Sequence, residues 1–116
     1  MSRFYALINS TGIQEVQATE MPKLHEIQKL VGIPGKEAFL EAVYQCYSDS
    51  SIAILCDDEF LLKGCQPTLV LPNGTILHGQ LFIVAQNIQI EDFCLLTQKQ
   101  LEIIKKESKI YSLQPR

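Results

Sequence analysis

The chain alternates short apolar runs with polar turn residues, a pattern that predicts strands joined by hairpins. Residues 4–8 are rich in strand formers, and residues 13–18 alternate polar with apolar side chains. The turn formers Ser10-Thr11-Gly12 lie between these two segments. We therefore predict a β-hairpin at the start of the chain.

A second hairpin is predicted in the middle of the chain. The apolar run 52–56 is followed by Asp57-Asp58-Glu59 and then by the shorter apolar run 60–62. Three consecutive acids between two apolar segments indicate a solvated hairpin tip. Further along, Pro72-Asn73-Gly74-Thr75 has the residues that a tight turn between short strands requires.

Two other apolar segments lack a simple alternation. The run Leu81 to Ala85 is continuously apolar, which predicts a strand covered on both faces at the centre of the sheet. The segment Ala38 to Tyr47 fits both a helical stripe and one face of a strand. Periodicity alone leaves both structures open for this segment.

The first predicted helix lies between these strands. Leu24, Ile27 and Val31 recur at spacings of three and four, and Gly32 follows as a C-terminal stop. His25 falls beside this apolar stripe rather than on it. We therefore expect a short amphipathic helix with His25 exposed to solvent.

A second helix completes the predicted fold. Thr97, with Gln100 three residues later, fits a capping box at the start of this helix. Together these elements predict an α+β fold, with a mainly antiparallel sheet of about five to seven strands and two main helices packed against it. We expect one domain over residues 1–116, with residues from about 110 to 116 frayed.

The composition is that of an ordinary globular protein, because 47% of the 116 residues are hydrophobic and 20% are charged. The N-terminal apolar run is too short for a signal peptide, and Leu81 to Ala85 is too short to span a membrane. We therefore expect a cytoplasmic protein with no membrane contact. In that reducing compartment its four cysteines are expected to be thiols, and their spacing matches no zinc or redox motif. Neither a metal nor a cofactor is predicted.

Charge is distributed unevenly around the net value of −3. Residues 1–96 contain five basic and eleven acidic side chains, whereas residues 97–116 contain five basic and two acidic ones. An acidic body repels a nucleic acid backbone, which disfavours nucleic acid as a partner. The basic C-terminal segment either complements the dipole of the last helix or contacts an acidic partner.

Four phrases carry a resemblance, in chain order: Ile54-Leu55-Cys56-Asp57-Asp58, Leu62-Lys63-Gly64, Gly79-Gln80-Leu81-Phe82-Ile83-Val84 and Glu91-Asp92-Phe93-Cys94-Leu95-Leu96-Thr97. They resemble an uncharacterised domain-of-unknown-function family of small bacterial, phage and plasmid proteins. That resemblance implies no activity or catalytic residue, and it favours a strand at Ala38 to Tyr47. This chain has Thr68-Leu69 where the family tends to have Asn-Arg.

Four residues are candidates for ligand binding, namely Asp57, Asp58, Lys63 and His78. The carboxylates suit a hard cation, although consecutive residues in a turn point in different directions and a solvated tip is the favoured interpretation. His78 with a cysteine, Cys56 or Cys65, would form a thiol nucleophile and its base. Cysteines at strand positions are more often buried apolar residues.

Two classes of function follow. The first is a non-catalytic accessory protein that binds a partner protein or a small ligand, acting as a homodimer or within a complex. The alternative is a small enzyme that uses His78 with a cysteine or a carboxylate. The first is favoured because the sequence has two histidines and no nucleophile motif.

Overall fold

The computed structural model describes residues 2–87 and 92–111, which form nine strands and two helices. The strands are β1 (Phe4–Asn9), β2 (Gly12–Gln17), β3 (Leu40–Val43), β4 (Ile52–Asp57), β5 (Pro67–Val70), β6 (Ile76–His78), β7 (Leu81–Asn87), β8 (Asp92–Cys94) and β9 (Lys109–Ile110), and the helices are α1 (Leu24–Leu30) and α2 (Gln98–Glu107). The predicted α+β class is confirmed.

The main sheet contains six strands, with β2, β1, β7, β4 and β3 side by side and β8 paired to β7. Every pair is antiparallel. The predicted N-terminal hairpin is confirmed, because β1 and β2 pair from Phe4↔Gln17 to Asn9↔Gly12. The predicted central strand is also confirmed, since β7 lies in the middle and residues 81–85 are all buried.

A second sheet of three strands, β6, β5 and β9 in that order, was not predicted as a separate layer. The predicted turn at Pro72 to Thr75 joins β5 to β6, and the Leu71 amide donates to the Thr75 carbonyl oxygen at 2.8 Å. Tyr111 pairs with the second sheet, because its amide donates to the Thr68 carbonyl oxygen at 2.8 Å. The rest of the predicted frayed tail lies outside the described residues.

Each face of the main sheet buries its own apolar cluster, because successive strand residues point to opposite faces. On one face the sheet packs against the three-stranded sheet and α2, through side chains that include Ile54, Ile83, Leu69, Leu101 and Ile104. On the other face it packs against α1, through side chains that include Leu55, Phe82, Val84, Ile27 and Val31. The fold therefore has a sheet at its centre and a covering layer on either side.

Both predicted helices are present, with one correction. Ile27 and Val31 are buried and His25 is exposed, as predicted, but Leu24 is 66% exposed. Leu24 is the first residue of α1, ahead of the turn that packs on the sheet. The predicted capping box at Thr97 is confirmed, since its hydroxyl accepts from the Gln100 amide at 3.2 Å.

The ambiguous segment from Ala38 to Tyr47 contains strand β3, at the edge of the main sheet, as the family resemblance favoured. The predicted second hairpin is wrong. Residues 58–64 form successive turns, and β4 pairs with β3 and β7 instead. We call this segment loop 58–64.

Candidate functional site

Loop 58–64 begins at Asp57, a carboxylate that the fold buries. Asp57 is only 1% exposed. Its Oδ1 accepts from the backbone amides of Glu59 at 2.9 Å and Phe39 at 3.4 Å, and its Oδ2 accepts from Lys63 Nζ at 2.7 Å. The prediction of a solvated acidic tip is therefore wrong for Asp57, because its carboxylate closes the turn that follows β4.

The Lys63 ammonium group forms an ion pair with the Asp57 carboxylate. Burial alone would raise the pKa of the Asp57 carboxyl, but the hydrogen bonds from Lys63, Glu59 and Phe39 outweigh it and hold that pKa below its ordinary value. The hydrogen bond to Asp57 in turn raises the pKa of the Lys63 ammonium group. Nζ of Lys63 also donates to the Glu37 carbonyl oxygen at 3.0 Å and lies 5.4 Å from the centre of the Phe39 ring.

A second anchor holds loop 58–64 through Phe60. The Phe60 ring stacks on the His78 ring, with 4.9 Å between the ring centres and 7° between their planes. Nδ1 of His78 lies 3.0 Å from the Cys65 carbonyl oxygen, so this nitrogen carries the donated proton. The Cys65 amide donates to the Phe60 carbonyl oxygen at 3.0 Å. The loop is therefore fixed at Phe60 and at Lys63.

These two anchors expose the residues between them. Leu61 is 72% exposed and Leu62 is 86% exposed, although both are large apolar side chains. Phe39, which lies under the Lys63 ammonium group, is 62% exposed. We call Phe39, Leu61 and Leu62 the apolar surface. Two adjacent exposed leucines on a fixed loop, with an exposed phenylalanine on the neighbouring segment, mark a candidate interaction site.

Asp58 lies on the outer side of the loop, beside a second carboxylate. Its side chain is exposed and lies beside Glu41, an exposed residue of β3 that the strand register puts opposite Cys56. Interaction with the neighbouring Asp58 carboxyl raises the pKa of the Glu41 carboxyl. The edge of the main sheet therefore carries two adjacent carboxyl groups without a cationic partner among the described residues.

The hydrogen bond of His78 differs from the one that the enzyme hypothesis requires. Among the described residues, its hydrogen bond goes to a backbone carbonyl rather than to a thiol or a carboxylate. Burial raises the pKa of the Cys56 thiol to about 12 and also raises that of Cys65. A nucleophilic cysteine instead needs a lowered pKa, so that its thiolate form is populated. All four cysteines are free thiols.

A cleft of about 410 Å³ is lined by Gly32, which packs against Asp57, and lies where the loop after α1 crosses the start of β7. Gly32 and Gln80 exchange two backbone hydrogen bonds of 2.8 Å there. Gly79 lies so close that a Cβ on it would be 2.8 Å from Gly32 Cα. Thr68-Leu69 is the pair at which this chain differs from the family that it resembles. Thr68 lines the cleft and donates to the Gly79 carbonyl oxygen, whereas Leu69 is in the core.

In residues 2–87 and 92–111, no group of three or more His, Cys, Asp or Glu side chains is arranged to hold a metal ion. Neither α1 nor α2 has the length and apolar character of a membrane-spanning helix.

The sequence predicted two separate sites, whereas the structure gathers all four candidates around loop 58–64. Asp57 and Lys63 form an ion pair, Asp58 faces outward beside Glu41, and His78 supports the loop through Phe60. The apolar surface was missed because residues 60–62 were interpreted as a strand. The acidic triplet before them and Lys63 and Gly64 after them were the available indication of a loop.

The chain belongs to the family described as Domain of unknown function (DUF3846), whose sequence profile matches residues 4–109. This match confirms the resemblance to an uncharacterised family. The comparisons with curated proteins and with solved structures found no significant match.

Proposed function

We propose that this family member is a non-catalytic accessory protein that binds a partner protein through the apolar surface. The observation that carries the proposal is the exposure of Leu61 and Leu62, 72% and 86%, on a loop fixed from beneath. Exposed leucines cost solvation free energy in the isolated protein. A partner that covers them recovers this free energy.

The anchors beneath the loop support the proposal. Asp57 and Lys63 hold one part of the loop, and Phe60 on His78 holds another. A loop that is already ordered loses less conformational entropy when a partner binds it. The charged and aromatic side chains of these anchors therefore have a positioning role, because they hold the loop so that Leu61 and Leu62 are exposed to a partner.

We place the protein in the bacterial cytoplasm, in association with a phage or plasmid. Support for the compartment comes from its four free cysteines, since thiols persist where the surroundings are reducing. Support for the genetic context comes from the family resemblance. The acidic body disfavours nucleic acid as the partner. Homodimerisation stays a prediction.

Affinity capture tests the proposal. Tagged wild-type protein and a Leu61→Ser/Leu62→Ser variant are incubated with lysate of the source bacterium, and the captured proteins are quantified by mass spectrometry. The matched control is Leu24→Ser, because Leu24 is a similarly exposed leucine on another element. We expect that wild type and Leu24→Ser both capture a protein that the Leu61→Ser/Leu62→Ser variant does not capture. Identical capture by all three would overturn the proposal.

A small polar ligand in the cleft is a second candidate function. The observation that favours it is the cleft of about 410 Å³, which has the size of a small-molecule site. Ser10 lies at its rim and is exposed. Saturation-transfer NMR with a mixture of small polar metabolites is expected to find a ligand that a Ser10→Trp variant no longer binds. Ligand binding unchanged by this substitution would exclude the cleft.

A further inference from the structure

Strand β3 forms one edge of the main sheet, and in the part of the chain that the structure describes no strand pairs with its outer side. The Asp58 amide donates to the Phe39 carbonyl oxygen at 2.7 Å, just before β3 begins. Hydrogen-bonded pairs alternate along an antiparallel ladder. The bonded pairs of β3 with β4 are therefore Glu41↔Cys56 and Val43↔Ile54.

This alternation determines which backbone groups face outward. Leu40 and Ala42 occupy the intervening pairs with β4, so their N–H and C=O groups point away from it. The pairing of β4 with β7 gives the same assignment. The Gln86 amide donates to the Ser51 carbonyl oxygen, so every second residue counted from Ser51 bonds with β7, and the β4 residues between them bond with β3. Two donors and two acceptors are thus available at the β3 edge.

The flanks of this edge distinguish it from the other edge of the sheet. Phe39 precedes β3 directly, and loop 58–64, with Leu61 and Leu62, is tied to Phe39 through the Asp58 amide. The other edge, β2, has exposed polar residues, and its Glu15 pairs with Lys105 at 2.5 Å. Apolar side chains next to unpaired backbone groups occur at β3.

The charges at the edge indicate what kind of strand fits. Glu41 and Asp58 lie side by side, and their mutual repulsion contributes to the raised pKa of the Glu41 carboxyl. A second copy of β3 placed antiparallel beside the first would bring two more carboxylates to the same place, which is unfavourable between neighbouring strands. A cation on the incoming strand would instead neutralise them.

We infer that β3 accepts one extended strand of a partner protein, and that this strand carries a lysine or arginine opposite Glu41 and Asp58 and apolar side chains against the apolar surface. Backbone hydrogen bonds from Leu40 and Ala42 supply affinity, and the side chains supply specificity. This inference rests on the proposed function and adds the mode of binding and the chemistry of the partner.

Synthetic peptides test the inference directly. The probe is a seven-residue peptide that alternates valine with threonine around a central lysine, and its matched control has glutamate in place of the lysine. Binding is measured by NMR titration of the full-length protein at physiological salt. We expect the lysine peptide to bind about tenfold more tightly than the glutamate peptide, because attraction in one becomes repulsion in the other.

Two changes separate backbone pairing from charge. N-methylation of alternate peptide amides removes the donors to β3 and is expected to abolish binding without altering the protein. On the protein side, Glu41→Lys/Asp58→Lys is expected to invert the preference between the two peptides. Glu102→Lys is the control, because Glu102 is an exposed acid on α2.

The outcomes distinguish this inference from the proposed function. Equal binding of both peptides, undiminished binding after N-methylation, or no binding of either peptide at millimolar concentration would overturn strand addition. A dimer in sedimentation that Ala42→Pro converts to a monomer would do the same, because a second copy would then occupy the edge. Either result leaves the proposed function standing if the Leu61→Ser/Leu62→Ser variant still loses a captured protein. In that event the protein binds a partner, and only the inferred mode of binding is wrong.

Discussion

Asp57 and Asp58 are adjacent and chemically identical, yet they belong to regions with opposite properties. Asp57 is buried, receives three hydrogen bonds and has a lowered pKa. Asp58 is exposed and shares its surroundings with another carboxyl, Glu41, whose pKa is raised. Asp57 is the last residue of β4 and stays within the covered sheet, whereas Asp58 is the first residue of the turns that follow and lies at the surface.

The difference shows how one short loop serves two purposes. The inner region, comprising Asp57, Lys63, Phe60 and His78, fixes the backbone of loop 58–64. The outer region, comprising the apolar surface with Asp58 and Glu41, is available for recognition. Substitutions in the inner region should therefore change stability, whereas substitutions in the outer region should change binding.

The largest expected effect is from Asp57→Ala. This substitution leaves the backbone amides of Phe39 and Glu59 without their acceptor, so the free energy of unfolding should fall by about 3–5 kcal/mol. Urea denaturation measures this change. Asp58→Ala is the matched control, and we expect it to stay within about 0.5 kcal/mol of wild type. Similar losses in the two variants would abolish the distinction between the regions.

Gly32→Ala should have a somewhat smaller effect on the same inner region. Gly32 has φ +77°, and a Cβ there would lie 2.9 Å from Asp57 Oδ2. Backbone strain plus displacement of the carboxylate should cost about 2–4 kcal/mol in denaturation experiments. Gly74→Ala is the control, since Gly74 has φ +89° with open space around it. Equal costs at the two glycines would show that Asp57 is not packed against Gly32.

The two carboxyl environments predict opposite dependences of stability on pH. Because the pKa of Asp57 is lowered in the folded protein, its ionised carboxylate stabilises the fold fully above about pH 4, the pKa of aspartate in the unfolded chain. This stabilisation is lost as the pH falls through the pKa of Asp57 in the folded protein. Because the pKa of Glu41 is raised, its ionisation removes stability as pH rises above about 4.3. Denaturation of wild type, Asp57→Asn and Glu41→Gln between pH 3 and pH 7 should separate the two slopes. Slopes of the same sign would contradict the assignment.

The smallest expected effect on stability comes from Leu61→Ser/Leu62→Ser. Both leucines are largely exposed, so their replacement should change the free energy of unfolding by no more than about 0.5 kcal/mol at each position. Thermal and urea denaturation measure this change. A loss comparable to that of Asp57→Ala would mean that the leucines help to hold the loop and are not simply presented by it.

Local patterns were enough to predict much of the fold. The continuous apolar run at residues 81–85 predicted the central strand, and Thr97 with Gln100 predicted the start of α2. The inner region could not be predicted, because the acceptor role of Asp57 depends on Phe39, which is distant in sequence. Glu41 is likewise brought to Asp58 only by the pairing of β3 with β4.

Amide hydrogen exchange with and without the lysine peptide is the most direct test of a fixed loop beside an available strand edge. In the free protein we expect slow exchange at Lys63 and Cys65, whose amides are hydrogen bonded, and fast exchange at Leu40 and Ala42, which face outward. The peptide should slow exchange at Leu40 and Ala42. Slow exchange at Leu40 and Ala42 without peptide, or fast exchange at Lys63 and Cys65, would contradict the account.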